Sequence, residues 1–140
     1  MPVIGLTFRS ISATRSEKAP SGEIRINSTP KVNDIKEVSV ATLKKKALAF
    51  QFEFVTRYDP DLAELKIEGE LLYLADKNEP ILKQWKKKKT IPENVSVEIL
   101  NHLFRRCLLK MAVLADDLQL PPPIQIPRVT TKKQTPAGVG

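Results

Sequence analysis

A long apolar helix that runs into a proline-rich segment is the feature that most constrains the fold of this chain. Residues 92–117 read PENVSVEILNHLFRRCLLKMAVLADD and are followed directly by LQLPPPIQIPRV. Proline lacks a backbone N–H and fixes its φ, so the helix must end before the three consecutive prolines. After Val129 the sequence changes to TTKKQTPAGVG, which has two lysines and no carboxylate. The pattern therefore predicts one packed domain over residues 1–127 and a flexible basic tail over residues 128–140.

Strand periodicity fills the half of the chain that precedes the helix. Short strands are predicted at residues 4–8 and 23–27, and an irregular one at 31–40. Between residues 48 and 73 apolar and polar side chains alternate on both sides of the sequence YDPD. Proline and aspartate are typical of a turn, and period-two alternation is typical of strands with one buried face. We therefore predict a long antiparallel hairpin that is apolar on one side and charged on the other.

Two helices are predicted after the hairpin. Asp76 with Glu79, and Thr90 with Glu93, have the spacing of capping boxes, and Pro92 suits a first helical turn. The order of strands first and helices last indicates an α+β domain, in which a short and a long C-terminal helix cover one face of an antiparallel β-sheet. The long helix is apolar almost all the way round, so we expect burial on more than one side, by a second layer of the chain or by a second subunit of a homo-oligomer.

The net charge of +7 comes from 23 Lys and Arg against 16 Asp and Glu. Its strongest local feature is a run of four lysines after the short helix: Lys86, Lys87, Lys88 and Lys89. Adjacent cations of this kind can form a phosphate-binding patch. Alternatively, the lysines end the helix and complement the negative end of its dipole. Both interpretations stay open, because successive positions wrap around a helix and share one face only if its end unwinds.

Two further groups of cations are candidate RNA-contact residues: Lys44, Lys45 and Lys46 on a predicted loop, and Arg128, Lys132 and Lys133 in the tail. The loop lysines suit a solvated turn unless folding brings them beside the lysine run. Basic tails can order along grooves of structured RNA, and a flexible solubilising end is the alternative. The tail has no aromatic residue for base stacking, so RNA contacts would involve backbone and shape.

Catalysis is not predicted. His102 and Cys107 are five residues apart, so on a helix their side chains diverge by roughly 140° and cannot form a nucleophile–base pair. One histidine and one cysteine are too few for a zinc site, and the five glycines form no phosphate loop. We expect no enzymatic activity, no cofactor and no metal. A single cysteine and the lack of an apolar stretch of roughly 20 residues favour a cytoplasmic protein without membrane insertion.

The order of elements resembles the SecB export chaperone family. The leading strand, long hairpin, short helix, long helix and proline-rich exit follow the family's order, over about residues 6–129. Residues 105–126 (RRCLLKMAVLADDLQLPPPIQI) resemble its long helix and the Leu-x-Leu-x-Pro exit. The helix and the LPPPI pattern are also similar to small uncharacterised archaeal proteins.

The resemblance implies a tetramer that holds unfolded preproteins in apolar grooves without ATP. Here such a groove would be lined by the long helix and four hairpin side chains: Phe52, Phe54, Ile67 and Leu71. The SecB family is acidic and engages the translocation motor through an acidic C-terminal region, whereas this chain is basic. The difference argues against an export role and leaves polypeptide holding open.

Two functions are therefore considered. In the first, the chain is a non-enzymatic RNA-binding protein, associated with the ribosome or an accessory protein of it, which docks on structured RNA through its lysines and tail. In the second, it is a SecB-like holdase chaperone that binds unfolded polypeptides. The sequence favours the first, because the lysine run and the tail have no use in holding peptides.

Overall fold

The computed structural model describes residues 3–17 and 22–124. Its elements follow in chain order: β1 (Val3–Arg15), β2 (Arg25–Val40), β3 (Lys45–Asp59), β4 (Ala63–Tyr73), α1 (Asn78–Lys88) and α2 (Glu93–Asp117). The strands form one antiparallel sheet in the order β1-β4-β3-β2. The predicted α+β class, with a short and a long helix after an antiparallel sheet, is confirmed.

The β3–β4 hairpin forms the centre of the sheet. Phe50 pairs with Leu71 and Phe54 pairs with Ile67 across the two strands, and these four side chains have no exposed surface. Because side chains alternate along a strand, the charged positions of the hairpin point to the other face. There Lys66 Nζ lies 3.3 Å from Glu53 Oε2 and 3.8 Å from Glu68 Oε1. One face of the sheet therefore carries the core and the other carries ion pairs.

The helix α2 packs on the apolar face through a single row of side chains. The buried row repeats every four residues: Val95, Ile99, Leu103, Cys107, Met111 and Ala115. At the end of the helix, Arg15 Nη1 donates hydrogen bonds to the carbonyls of Leu118 (2.6 Å) and Gln119 (2.8 Å). Tyr58 Oη donates to the carbonyl of Pro121 at 2.6 Å. Arg15 places a cation at the negative end of the helix dipole. Together with the Tyr58 phenol it attaches the start of the proline-rich segment to β1 and β3.

The strands are longer than their periodicity predicts. The strand predicted at residues 4–8 continues to Arg15, and the two predicted at 23–27 and 31–40 form the single strand β2. The pairing of β2 with β3 shifts between Val32 and Asp34, which is a β-bulge. A bulge adds one residue to a strand and breaks its alternation locally, which explains the irregular pattern of residues 31–40. The gap at residues 28–30 is regularly paired strand, although its sequence, Ser-Thr-Pro, does not alternate.

Both predicted capping boxes are wrong. The residue before α1 is Lys77 in an extended conformation, and the residue before α2 is Pro92; neither makes a side-chain capping hydrogen bond. Thr90 Oγ1 instead accepts a hydrogen bond of 3.0 Å from Gln84 Nε2. Pro92 precedes the first residue of α2 instead of lying in its first turn. Its side chain has no hydroxyl, carboxylate or amide with which to cap the helix.

We predict that Gly69→Ala destabilises the protein by about 1–3 kcal/mol or more, the usual cost of overpacking a core. A Cβ at Gly69 would lie 2.2 Å from the Thr7 carbonyl oxygen and 2.9 Å from Cζ of Phe52. Urea unfolding checks this, with Gly5→Ala as the matched control, because a Cβ there would meet Leu72 at an ordinary 3.7 Å. Equal unfolding midpoints for the two variants would contradict the packing described.

Candidate functional site

The outward side of α2 carries exposed apolar side chains. Five residues at four-residue spacing form what is called the outer row: Val97, Asn101, Arg105, Leu109 and Val113. Val97 is 51% exposed, Leu109 59% and Val113 55%. The outer row is displaced by two residues from the buried row, so it lies about 200° around the helix and faces away from the sheet.

The two sides of the outer row differ in chemistry. On the side of β3 lies the apolar flank, whose members are half-buried: Leu100, Phe104, Leu108 and Ala112. The ring of Phe104 meets that of Phe54 edge-on at 5.4 Å between centroids. On the side of β1 lies the basic flank: His102, Arg106 and Lys110. The Arg106 guanidinium lies 6.0 Å from the centroid of the Phe8 ring. A segment lying along α2 would therefore meet an apolar strip with cations along one edge.

This arrangement differs from the expected burial of α2 on more than one side. In the described part of the chain the sheet is the layer that buries α2, and the outer row has no cover. The homo-oligomer predicted from the apolar helix stays a prediction, and the surface that it would use is the outer row.

The four hairpin side chains expected to line a groove are core residues in the structure. Phe54, Ile67 and Leu71 are 0% exposed and Phe52 is 2% exposed, because they point into the layer between the sheet and the helices. Their predicted role therefore needs a correction, since a client cannot touch them while the helices stay in place. The accessible apolar surface lies on α2 instead. The sequence indicated this only by including the long helix among the expected walls of the groove.

The lysine run lies at the C-terminal end of α1. Lys86, Lys87 and Lys88 form the last helical turn, and Lys89 follows in a left-handed conformation (φ 54°, ψ 35°). All four are exposed, and Lys89 Nζ lies 5.2 Å from the centroid of the Trp85 ring. Among the described residues no carboxylate pairs with them. Both interpretations of the run, a dipole-complementing helix end and a polyanion contact, are compatible with this placement.

The loop lysines lie near the other end of α1. Lys44 belongs to the β2–β3 turn, and Lys45 and Lys46 begin β3. The side-chain amide of Asn78, at the start of α1, donates to the Lys46 carbonyl at 3.0 Å. About 12 Å of helix separates this point from the start of the lysine run, so the two clusters do not form one continuous patch.

The three tail cations, Arg128, Lys132 and Lys133, lie outside the described residues. The predicted tail over residues 128–140 lies there too. The division into a domain over residues 1–127 and a basic tail over residues 128–140 therefore stays a prediction.

The side chains considered for catalysis lie on different sides of α2. Cys107 belongs to the buried row, and burial raises the pKa of its thiol from 9.0 to about 12. His102 lies on the basic flank, where burial, then Arg106 and Arg105, lower the pKa of its imidazole. No group of three or more His, Cys, Asp or Glu that could hold a metal occurs within the described ranges. None of the helices there is long and apolar enough to span a membrane.

Comparison with known proteins gives little beyond the fold. The sequence matches no protein-family model and no curated protein. A search of solved structures matched Rv1957, a SecB-like chaperone of Mycobacterium tuberculosis in complex with a ChAD peptide from the HigA1 antitoxin Rv1956. The match has 9% identity and a TM-score of 0.49, and covers 94% of this chain and 91% of the other. A likeness at this level does not bear on what this chain binds.

We predict that the free energy of unfolding falls as pH rises from about 9 toward 12. Burial raises the pKa of Cys107 to about 12 and that of Tyr58 from 10.0 to about 12. In this range the unfolded chain releases protons that the folded chain retains, so stability is present below pH 9 and is lost above it. Urea unfolding between pH 7 and 10.5 checks the sign. Cys107→Ala should lose stability less steeply above pH 9, and an unchanged slope would contradict the burial of the thiol.

Proposed function

We propose that the protein is a non-enzymatic binding protein that holds extended apolar polypeptide segments on the outward side of α2. The observation that supports the proposal is the outer row, where three large apolar side chains are more than half exposed on one four-residue ridge of a helix. Single exposed apolar residues are ordinary on protein surfaces. Together with the half-buried apolar flank beside them, these side chains form an apolar strip, which is typical of a surface that another chain covers. This is the polypeptide-holding alternative considered from the sequence.

The dimensions of the strip suit a short extended segment. Val97 and Val113 are 16 residues apart, which is about 24 Å along the helix axis. An extended chain covers that length with roughly eight or nine residues. Fully burying a Val or Leu side chain contributes about 1.5–3 kcal/mol, and association entropy offsets much of the total. A single segment should therefore bind weakly and reversibly, as a holding function without ATP requires.

We predict that the double substitution Leu109→Ser and Val113→Ser lowers the affinity for an unfolded apolar peptide about tenfold or more. Each change removes an exposed apolar side chain from the strip, at a site that the fold does not use. Fluorescence anisotropy with a labelled apolar peptide measures the affinity. Suppression of the aggregation of a denatured client protein provides a second readout.

The matched control is Leu43→Ser, because Leu43 is 43% exposed in the β2–β3 turn, away from α2. This variant should bind the peptide like the unsubstituted protein. The competing occupant of the strip is a second copy of the chain. If the double variant only changes the mass measured by sedimentation and leaves peptide binding unaltered, the strip is a subunit contact and the proposal is wrong.

A second candidate function is docking on structured RNA through the lysine run. The observation in its favour is that Lys86, Lys87, Lys88 and Lys89 are exposed together and lack carboxylate partners within the described residues. The helix dipole explains part of this arrangement, because cations in a last turn are stabilising. Lys89 ends the helix, and its ammonium lies over the Trp85 ring, so its position also has an explanation within the fold. The case is weaker than that for the strip, since the loop lysines do not extend the patch.

We predict that replacing the four lysines of the run by glutamine flattens the salt dependence of any RNA binding. The slope of log Kobs against log salt should fall by about 0.7–0.9 for each lysine that binds a phosphate in the unsubstituted protein. Filter binding of a structured RNA at several salt concentrations measures the slope. Replacing Lys44, Lys45 and Lys46 by glutamine gives a charge control. An RNA affinity too weak to measure at low salt would exclude this second function.

A further inference from the structure

We infer that the segments held on α2 have an acidic residue at their centre, flanked by apolar residues, and that its carboxylate binds Arg105. The inference rests on the proposed function and specifies its substrate class. Arg105 lies on the outer row itself, four residues before Leu109. Its position makes it the polar contact that an apolar segment would meet midway along the strip.

The middle of the strip is electropositive. Arg105, Arg106 and Lys110 surround Leu109 within about one helical turn. The ion pairs of the described residues lie on the strands and do not include these three cations. The pKa of His102, one turn earlier, is lowered in part by the two arginines. The ion pairs of the surrounding fold do not neutralise these charges. Glu98 lies in the same row as the basic flank, but it is about 10 Å from Arg105 along the axis and interacts with Tyr73, so a carboxylate placed at Arg105 would meet cations first.

The spacing of the outer row matches an extended chain. Successive members are four residues apart, or about 6 Å along the axis, and each step also turns about 40° around the helix, so the row follows a ridge inclined by about 26° to the axis. Side chains on one face of an extended chain are two residues apart, or about 6.6 Å. Over the whole row the two repeats differ by only about 2 Å. Every second side chain of a nine-residue segment can therefore meet one member of the row if the segment follows this inclined ridge around the helix.

This register gives the segment a defined chemistry. The side chains on the face of the segment that contacts α2 would be apolar opposite Val97, small and polar opposite Asn101, and acidic opposite Arg105. Opposite Leu109 and Val113 they would again be apolar. One turn beyond each end of the row lies a carboxylate, Glu93 before Val97 and Asp117 after Val113. Like charges repel, so acidic residues at the ends of a segment are disfavoured. The preference therefore depends on the position of the acid and not on the net charge of the segment.

The test uses labelled nine-residue peptides of the same apolar pattern with Glu, Gln or Lys at the central position. A fourth peptide has the composition of the first with its Glu moved to one end. We expect the central-Glu peptide to bind about fivefold tighter than the Gln and Lys peptides at low salt, the upper range for one exposed ion pair. We expect the end-Glu peptide to lose that gain.

Substitutions locate the effect on the protein. Arg105→Gln should abolish the ratio of affinities between the central-Glu and the Gln peptides, whatever it does to the affinity for both, and Arg105→Lys should keep part of that ratio. Lys36→Gln is the control, because it removes one exposed cation from β2 on the other side of the molecule.

The outcomes separate the inference from the proposed function. Binding of the Gln peptide that depends on Leu109 and Val113, with no preference for central Glu, overturns the inference and leaves the proposed function standing. A preference that survives Arg105→Gln overturns it as well. No measurable binding of any of the four peptides overturns both.

Discussion

The helix side of the molecule depends on the contact between the buried row of α2 and the apolar face of β3 and β4. A row that repeats every four residues can bury only one side of a helix against a flat sheet. Once Ile99, Leu103 and Met111 are buried there, the residues two positions away must point outward. The exposure of Leu109 and Val113 is thus a geometric consequence of the packing that holds the helix in place.

The anchored end of α2 fixes which row faces the sheet. Arg15 binds the carbonyls that follow the last turn, and Tyr58 binds the carbonyl of Pro121. A rotation of the helix by one residue, about 100°, would break these hydrogen bonds and bring Lys110 or Arg106 toward the core. Burying an unpaired cation is far more costly than exposing a leucine. The outer row therefore stays exposed unless another chain covers it.

The fold was largely predictable from the sequence, and the site was not. The hairpin was predictable because the alternation around Phe50 and Leu71 is strict. The capping residues were mispredicted because a Thr or Asp three residues before Glu is only a local signal, which the Gln84–Thr90 hydrogen bond and the extended Lys77 override. The buried and exposed sides of α2 were not separable, since apolar residues occupy both and periodicity alone does not show which row meets the sheet.

The charges and the apolar strip act at different ranges. At physiological ionic strength the Debye length is about 8 Å, so the lysine run on α1 has little influence on a segment already lying on α2. The lysine run would instead affect the association rate, because a basic surface raises the rate at which acidic chains reach the protein. In the proposed binding mode Arg105 would act only in contact, as one exposed ion pair with the segment. For a segment that is both acidic and apolar, the charges and the apolar strip would both favour binding, whereas for a basic apolar segment the charges would oppose the contribution of the strip.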